Sequence, residues 1–275
     1  MKLRDRNFSN PHHTFIMGIL NVTPDSFSDG GRWNTIDSAL RRVEQMKEDG
    51  MDIVDIGGES TRPGYIPISD QQEIDRIVPV IEAVSARFDL PISVDTYKST
   101  VASEALSSGA DMINDIWGLK HDAAMASLIA ETGAACCLMH NRTNSVYQSF
   151  LPEVLSDLEE SLALAKSAGI ADDHILLDPG VGFAKSYEQN LTILHRLEEL
   201  LTLGYPLLLG ASRKSVIGLT LELPTEQRLE GTLAITALAV FKGCRFVRVH
   251  DVKENARVIR MLEAILQERK PEYGQ

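Results

Sequence analysis

A (β/α)8 barrel is the fold class this sequence predicts, and three observations predict it. Short apolar or β-branched runs alternate with longer segments of helical periodicity, which is the pattern of βα units around a parallel sheet. The chain carries eight such short runs, each followed by a helical segment or by a loop that leads into one. Its length of 275 residues suits one α/β barrel, a fold that commonly takes about 200 to 250 residues. No linker divides the chain, so residues 1–275 read as one domain. An open doubly wound sheet is the competing topology.

In chain order, strands are expected at residues 14–20, 51–56, 91–95, 112–116, 134–139, 174–177, 206–209 and 246–249. Between and after them lie helical patterns such as 35–49, 71–87, 154–167, 187–203 and 256–267. In the segment 187–203, Leu191, Leu194, Leu197 and Leu201 recur at three- and four-residue spacing and should share one buried face. Gly50, Gly109, Gly133 and Gly169 follow helical patterns, where the left-handed conformation that ends a helix is needed. The first residues are expected to form a hairpin or arm that closes the barrel bottom.

Composition narrows the function. Hydrophobic residues at 44% and charged residues at 24% are ordinary for a globular chain, and no apolar run approaches the roughly 18 residues of a membrane span. Lys+Arg 27 against Asp+Glu 39 gives a net charge of −12, a field that repels the phosphate backbone of nucleic acids. A phosphate-bearing ligand then needs a local cluster of cations. The stretch MKLRDRNFSNPHH lacks a signal-peptide apolar core, and three cysteines make no complete disulfide set. A cytoplasmic protein is expected, with no membrane partner. Cys136, Cys137 and Cys244 lie in apolar runs and read as core packing.

In a barrel, the C-terminal ends of the strands and the loops after them form the active face. Those ends supply Asn21, Asp55 with Glu59, Thr61 and Arg62, then Asp95, Asn114, His140, Asp178, Ser212 with Lys214, and Arg248 with His250. Any one of these is readily a capping or turn residue. Asp95 and Asn114, however, sit inside apolar strands (ISVDT, MINDI), where an unpaired polar group costs about 1–3 kcal/mol. Each needs a designated partner, and a polar ligand is one. The loops 21–31 and 57–64 are long and rich in Gly, Pro and Ser, which suits lids over a site. Arg62, Arg248 and His250 on one rim of an acidic protein favour a phosphate or diphosphate site. For His140, a supporting hydrogen bond is at least as good a reading as a site role.

These residues together resemble the dihydropteroate synthase family along nearly the whole chain. MGILNVTPDSFSDGG (17–31) and DIGGESTRPG (55–64) resemble that family's two mobile loops, and SVDTYK, MINDI, LLDPGVGFAK, GASRK and RVHDV resemble its later strand ends in order. After His140, the run NRTNSVYQSF departs from the sequence of some members and resembles another branch. The resemblance implies a (β/α)8 barrel that joins 4-aminobenzoate to 6-hydroxymethyl-7,8-dihydropterin diphosphate, releasing diphosphate.

It further implies that Asp95, Asn114, Asp178 and Lys214 hold the pterin, and that Thr61, Arg62, Arg248 and His250 hold the diphosphate. Phe27, Phe183 and Ser212 would border the aminobenzoate, and Asn21 would contact a magnesium ion, Mg2+. Lys214, Arg62, Arg248 and His250 are then the residues expected to carry catalysis, and a homodimer is the expected assembly. The chemistry suits them: carboxylates accept from a pterin's N–H groups, and cations meet the charge that moves onto diphosphate. Replacing Arg248 is expected to weaken diphosphate binding and largely spare the bare pterin. The rival function is a pterin-binding module of a corrinoid-dependent methyltransferase system, which would need no diphosphate site.

Overall fold

The computed structural model describes residues 1–23, 32–59 and 66–269. The chain begins with a hairpin of β1 (Lys2–Leu3) and β2 (Arg6–Asn7), turning through Arg4 at positive φ. The barrel strands follow as β3 (Phe15–Asn21), β4 (Ile53–Gly57), β5 (Ile92–Asp95), β6 (Met112–Asp115), β7 (Ala135–Met139), β8 (Ile175–Asp178), β9 (Leu208–Leu209) and β10 (Phe246–Val249). Neighbours run parallel in the order β8-β7-β6-β5-β4-β3-β10-β9, and a parallel bridge from Leu177 to Leu207 closes the ring. The fold is the (β/α)8 barrel, not the open sheet.

The helices are α1 (Arg32–Glu48), α2 (Asp70–Arg87), α3 (Ser99–Ser107), α4 (Met125–Thr132), α5 (Phe150–Ala168), α6 (Tyr187–His195), α7 (Leu197–Leu200), α8 (Ser215–Leu221), α9 (Leu229–Phe241) and α10 (Val252–Gln267). Ser69 before α2 and Ser186 before α6 each cap the helix by accepting from the backbone N–H of the Gln three residues on, and donate their own backbone N–H to that Gln's side-chain oxygen, which satisfies end-turn N–H groups that have no partner within the helix. Gly133 and Gly169 end α4 and α5 in the left-handed conformation, as expected. No helix among the described residues is long and apolar enough to cross a membrane.

Two expectations need correction. The strand expected at 206–209 is only Leu208–Leu209. Pro206 has no N–H to give to a ladder, although its carbonyl still accepts from Leu177 (3.0 Å). The helix expected at 187–203 breaks at Arg196, whose backbone leaves helical geometry (φ −114°, ψ 29°). Leu197 and Leu200 are thereby buried together, while Leu191 is 41% exposed and does not share their face.

Period-two alternation sorts the strand side chains. Ile16, Val54, Ile56, Val94 and Ile113 face the helices in the large outer core. Met17, Ile53, Met112, Cys137, Leu176, Leu208 and Phe246 fill the interior at the lower end, with Leu3 and Phe8 of the hairpin region packed beneath. The Phe8 and Phe15 rings meet edge-on with centroids 4.9 Å apart. The three cysteines are free and buried, Cys137 in this interior packing and Cys136 and Cys244 in the outer core. Two residues further along, the same inward positions are Asp55, Asn114, Asp178 and Arg248. The lower barrel is closed by apolar packing, so a ligand must enter from the polar end.

Candidate active site

The register aligns the polar row. Asn21 lies opposite Gly57, Gly57 opposite Asp95, and Asp95 opposite Asn114, across four adjacent strands. Gly57 keeps the row open, because a Cβ there would lie 3.6 Å from Asp95 Cβ and 3.9 Å from Asn21 Oδ1. On the far side, Asp178 Oδ1 accepts from the Gly180 amide (2.7 Å). A Cβ at Gly210 would lie 3.3 Å from Asp178 Oδ2 and 3.8 Å from Arg248 Cβ, so the missing side chain leaves space between strands β8 and β10.

Arg248 ties this mouth together. Its Nε donates to Asp55 Oδ2 (2.6 Å) and its Nη2 to Asp95 Oδ2 (2.7 Å). Burial pushes the Asp95 carboxyl up to about 7, against the pull of the Arg248 charge. Burial also raises Asp178, opposed by Lys214 and its bond from Gly180. Lys214 Nζ donates to the Val181 carbonyl (2.5 Å) and stands 4.7 Å over the Phe183 ring. Burial draws its ammonium down to about 8, partly offset by Asp178. Phe183 packs with Tyr97, Ile116, Trp117 and Met139, an apolar shelf beside these charges. Ser212 Oγ lies 3.0 Å from His250 Nδ1 and accepts from the His250 amide (3.3 Å).

Asn21, Asp95, Asn114, Asp178, Phe183, Ser212, Lys214, Arg248 and His250 therefore come from six strands and their following loops to one end of the barrel. Phe27, Thr61 and Arg62 lie outside the described residues. Ser212 is against His250. Asp55, a strand end with no assigned role in the sequence reading, is a direct ion-pair partner of the central arginine. Two lysines escaped that reading altogether. Lys98 bridges Glu59 and Glu73 (2.8 Å each) and donates to the Ile68 carbonyl (2.9 Å). Lys185 bonds His140, which is fully buried. The only signal for either was a lysine closing an otherwise small or apolar strand-end motif, SVDTYK or GVGFAK.

Comparison with known proteins turns this geometry into a family. The profile described as "Pterin binding enzyme" matches residues 17–250. A dihydropteroate synthase of Clostridium beijerinckii is 53% identical over 267 residues, covering 97% of this chain and 99% of its own. The chain belongs to the dihydropteroate synthase family. A Bacillus subtilis dihydropteroate synthase is likewise 53% identical, over 92% of this chain and 89% of its own. The dihydropteroate synthase of Clostridium difficile, crystallised in the presence of pteroic acid, superposes with a TM-score of 0.92 at 49% identity, covering 94% of this chain and 99% of that one. The Yersinia pestis enzyme in complex with a sulfonamide drug has a TM-score of 0.90 at 40% identity, covering 97% and 99%. The protein is a transferase of folate biosynthesis, and the corrinoid-system alternative is set aside.

Proposed function

We propose that the barrel mouth holds the pterin ring of 6-hydroxymethyl-7,8-dihydropterin diphosphate below and its diphosphate above, while 4-aminobenzoate attacks from the side to give 7,8-dihydropteroate. The observation that carries this division is a pair of buried carboxylate oxygens, Asp55 Oδ1 and Asp95 Oδ1, with no hydrogen-bond partner among the described residues. An unpaired buried acceptor costs about 1–3 kcal/mol, and the amino and ring N–H groups of a pterin are the donors that relieve it. Asn114, beside Asp95 in the register, can serve either polarity. Asp178 and Lys214 complete the ring's surroundings.

The bond from the pterin methylene to the diphosphate oxygen breaks with both electrons leaving on oxygen. The methylene cation is spread into the ring, and the lone pair of the arylamine closes the new C–N bond, its surplus proton passing to solvent. An arylamine is neutral at pH 7, so no strong base is required. The chain's task is to stabilise charge separation. Arg248 and His250, with Thr61 and Arg62, hold the diphosphate; Lys214 spans the two subsites. Phe183, with Phe27 and Ser212, borders the aminobenzoate. The sulfonamide-bound Yersinia pestis relative supports sulfonamides as competitors for that position.

Asn21 offers a neutral side-chain oxygen on the row with Gly57 and Asp95, which fits a hard cation that keeps most of its waters and needs few protein ligands. Magnesium held there would neutralise charge on the departing diphosphate. A second copy of this chain is the proposed partner. Leu219, Leu221, Phe241, Met261 and Ile265 are exposed on the neighbouring helices α8, α9 and α10, an apolar surface of the kind that marks an interface. Three buried free thiols fit a cytoplasmic setting.

The test of the reaction is a coupled assay with both substrates and magnesium, following dihydropteroate and diphosphate together. Equal amounts are expected; diphosphate without dihydropteroate would overturn the reading.

A further inference from the structure

The loop between β8 and α6 is folded around one ammonium group. Lys185 Nζ donates to the carbonyls of Gly180 (3.0 Å) and Phe183 (3.1 Å) and to Nδ1 of His140 (2.7 Å). Three protons meet three acceptors, so the group is fully used within the protein and has none left for a substrate. His140 Nδ1 accepts only when the imidazole is neutral and carries its proton on Nε2, and Nε2 lies 2.9 Å from Asp157 Oδ2. Burial and the nearby Lys185 charge drive the His140 ring down to about 3, which keeps it neutral. Asp157 is held in turn by Arg142, through Nε (2.5 Å) and Nη2 (3.1 Å).

The same loop meets the Lys214 side chain at two points. The Val181 carbonyl accepts from its Nζ, and the Phe183 ring lies under it. Phe183 thus has its backbone oxygen on Lys185 and its ring on Lys214. Gly180 sits at φ +68°, and a Cβ there would collide with the His140 carbonyl, so the loop is packed tightly onto the end of β7. Tyr147 adds one bond, from its hydroxyl to the Ala184 carbonyl (2.9 Å).

We propose that Lys185 is a positioning residue for the substrate site: anchored on His140, which Asp157 holds in turn, it gathers the Gly180 and Phe183 carbonyls so that the Phe183 ring is held against Lys214. The inference rests on the reading above of Phe183 and Lys214 as substrate contacts. It gives a reason for an aspartate–histidine–lysine chain, half-buried around a buried His140, behind a site whose chemistry uses none of the three.

The experiment is a double-substitution cycle in the full-length enzyme, with kcat and KM for 4-aminobenzoate measured for Lys185→Met, Phe183→Ala and the pair. Lys185→Met is expected to lower kcat/KM by about tenfold, mostly through KM. On the Phe183→Ala background, the same change is expected to cost less than about threefold, because the group through which it acts is gone. Losses that multiply would make Lys185 a stability residue only and overturn the proposal, as would parental constants in Lys185→Met. Phe183→Ala with parental constants would instead overturn the substrate-site reading on which the proposal stands. Should Lys185→Met fail to fold, Lys185→Gln, which keeps two donors, takes its place in the cycle. The same non-multiplying loss is expected, and the same two outcomes overturn it.

Discussion

Replacing Arg248 by Met removes the cation from between two buried carboxylates while keeping much of its apolar stem. In the parent, the guanidinium is 17% exposed and its partners Asp55 and Asp95 are 0% and 6% exposed. Breaking a buried pair by deleting one partner costs about 3–5 kcal/mol, because the remaining charge is left uncompensated. Here the stranded carboxylates have a way out, which is to take up a proton. The folded variant then binds about one proton more than its unfolded chain at pH values above the ordinary carboxylate pKa. Because the parent's own Asp95 gives up its proton near 7, the variant's stability must fall relative to the parent as pH rises through and above that value, approaching about 1.4 kcal/mol per unit. Urea unfolding of both proteins at about pH 6, 7 and 8 measures this. The expected deficit is largest at the highest pH and shrinks on acidification, levelling off below about pH 7, where the parent's Asp95 also holds a proton. Adding Asp55→Asn to the variant should recover part of it. A deficit below about 1 kcal/mol, or one independent of pH, would show that the arginine does not compensate these carboxylates and would refute the reasoning.

Three other outcomes follow from the same geometry. Lys214, drawn down to about 8, should lose its charge as pH rises through that value, so kcat/KM should fall on the alkaline side; a Lys214→Arg enzyme showing the same limb would assign it to another group. His140, held near 3 by burial, takes up no proton in the folded state while the unfolded ring titrates near 6.5. Its contribution is full at neutral pH and is lost as pH falls, by about 1.4 kcal/mol at pH 5.5; equal acid sensitivity in parent and His140→Asn unfolding would contradict it. Asn21→Ala should raise the magnesium concentration needed for half-maximal activity several-fold, and an unchanged magnesium titration would place the ion elsewhere.

The eight strands were legible because each is a short apolar run between turn residues, and the polar end of the barrel because Asp95 and Asn114 interrupt such runs. The strand at Leu208–Leu209 and the break at Arg196 depart from expectation for local reasons, a proline without a donor and leucines that bury only after a change of course. The pairings inside the mouth were hidden for a different reason. Arg248 meets Asp55 and Asp95 across 193 and 153 residues, contacts that exist only once the barrel has closed and that no spacing encodes. That closure also changes one expectation: Arg248, read as a diphosphate group separable from the pterin clamp, shares a hydrogen bond with Asp95 of that clamp, so its loss should reach both ligands. His140 shows the converse. A strand-end histidine looked equally fit for chemistry or support, and its two partners, Asp157 and Lys185, assign it to support.

The proposed reaction depends on where the heterocycle sits, and a crystal structure of the protein with 6-hydroxymethylpterin tests this directly. The pterin amino and ring N–H groups should lie within hydrogen-bond distance of Asp178 and of Asp95 Oδ1, with Asn114 beside them and the hydroxymethyl group pointing towards Arg248 and His250. A pterin bound away from these strand ends, with Asp95 Oδ1 still unpaired, would contradict it.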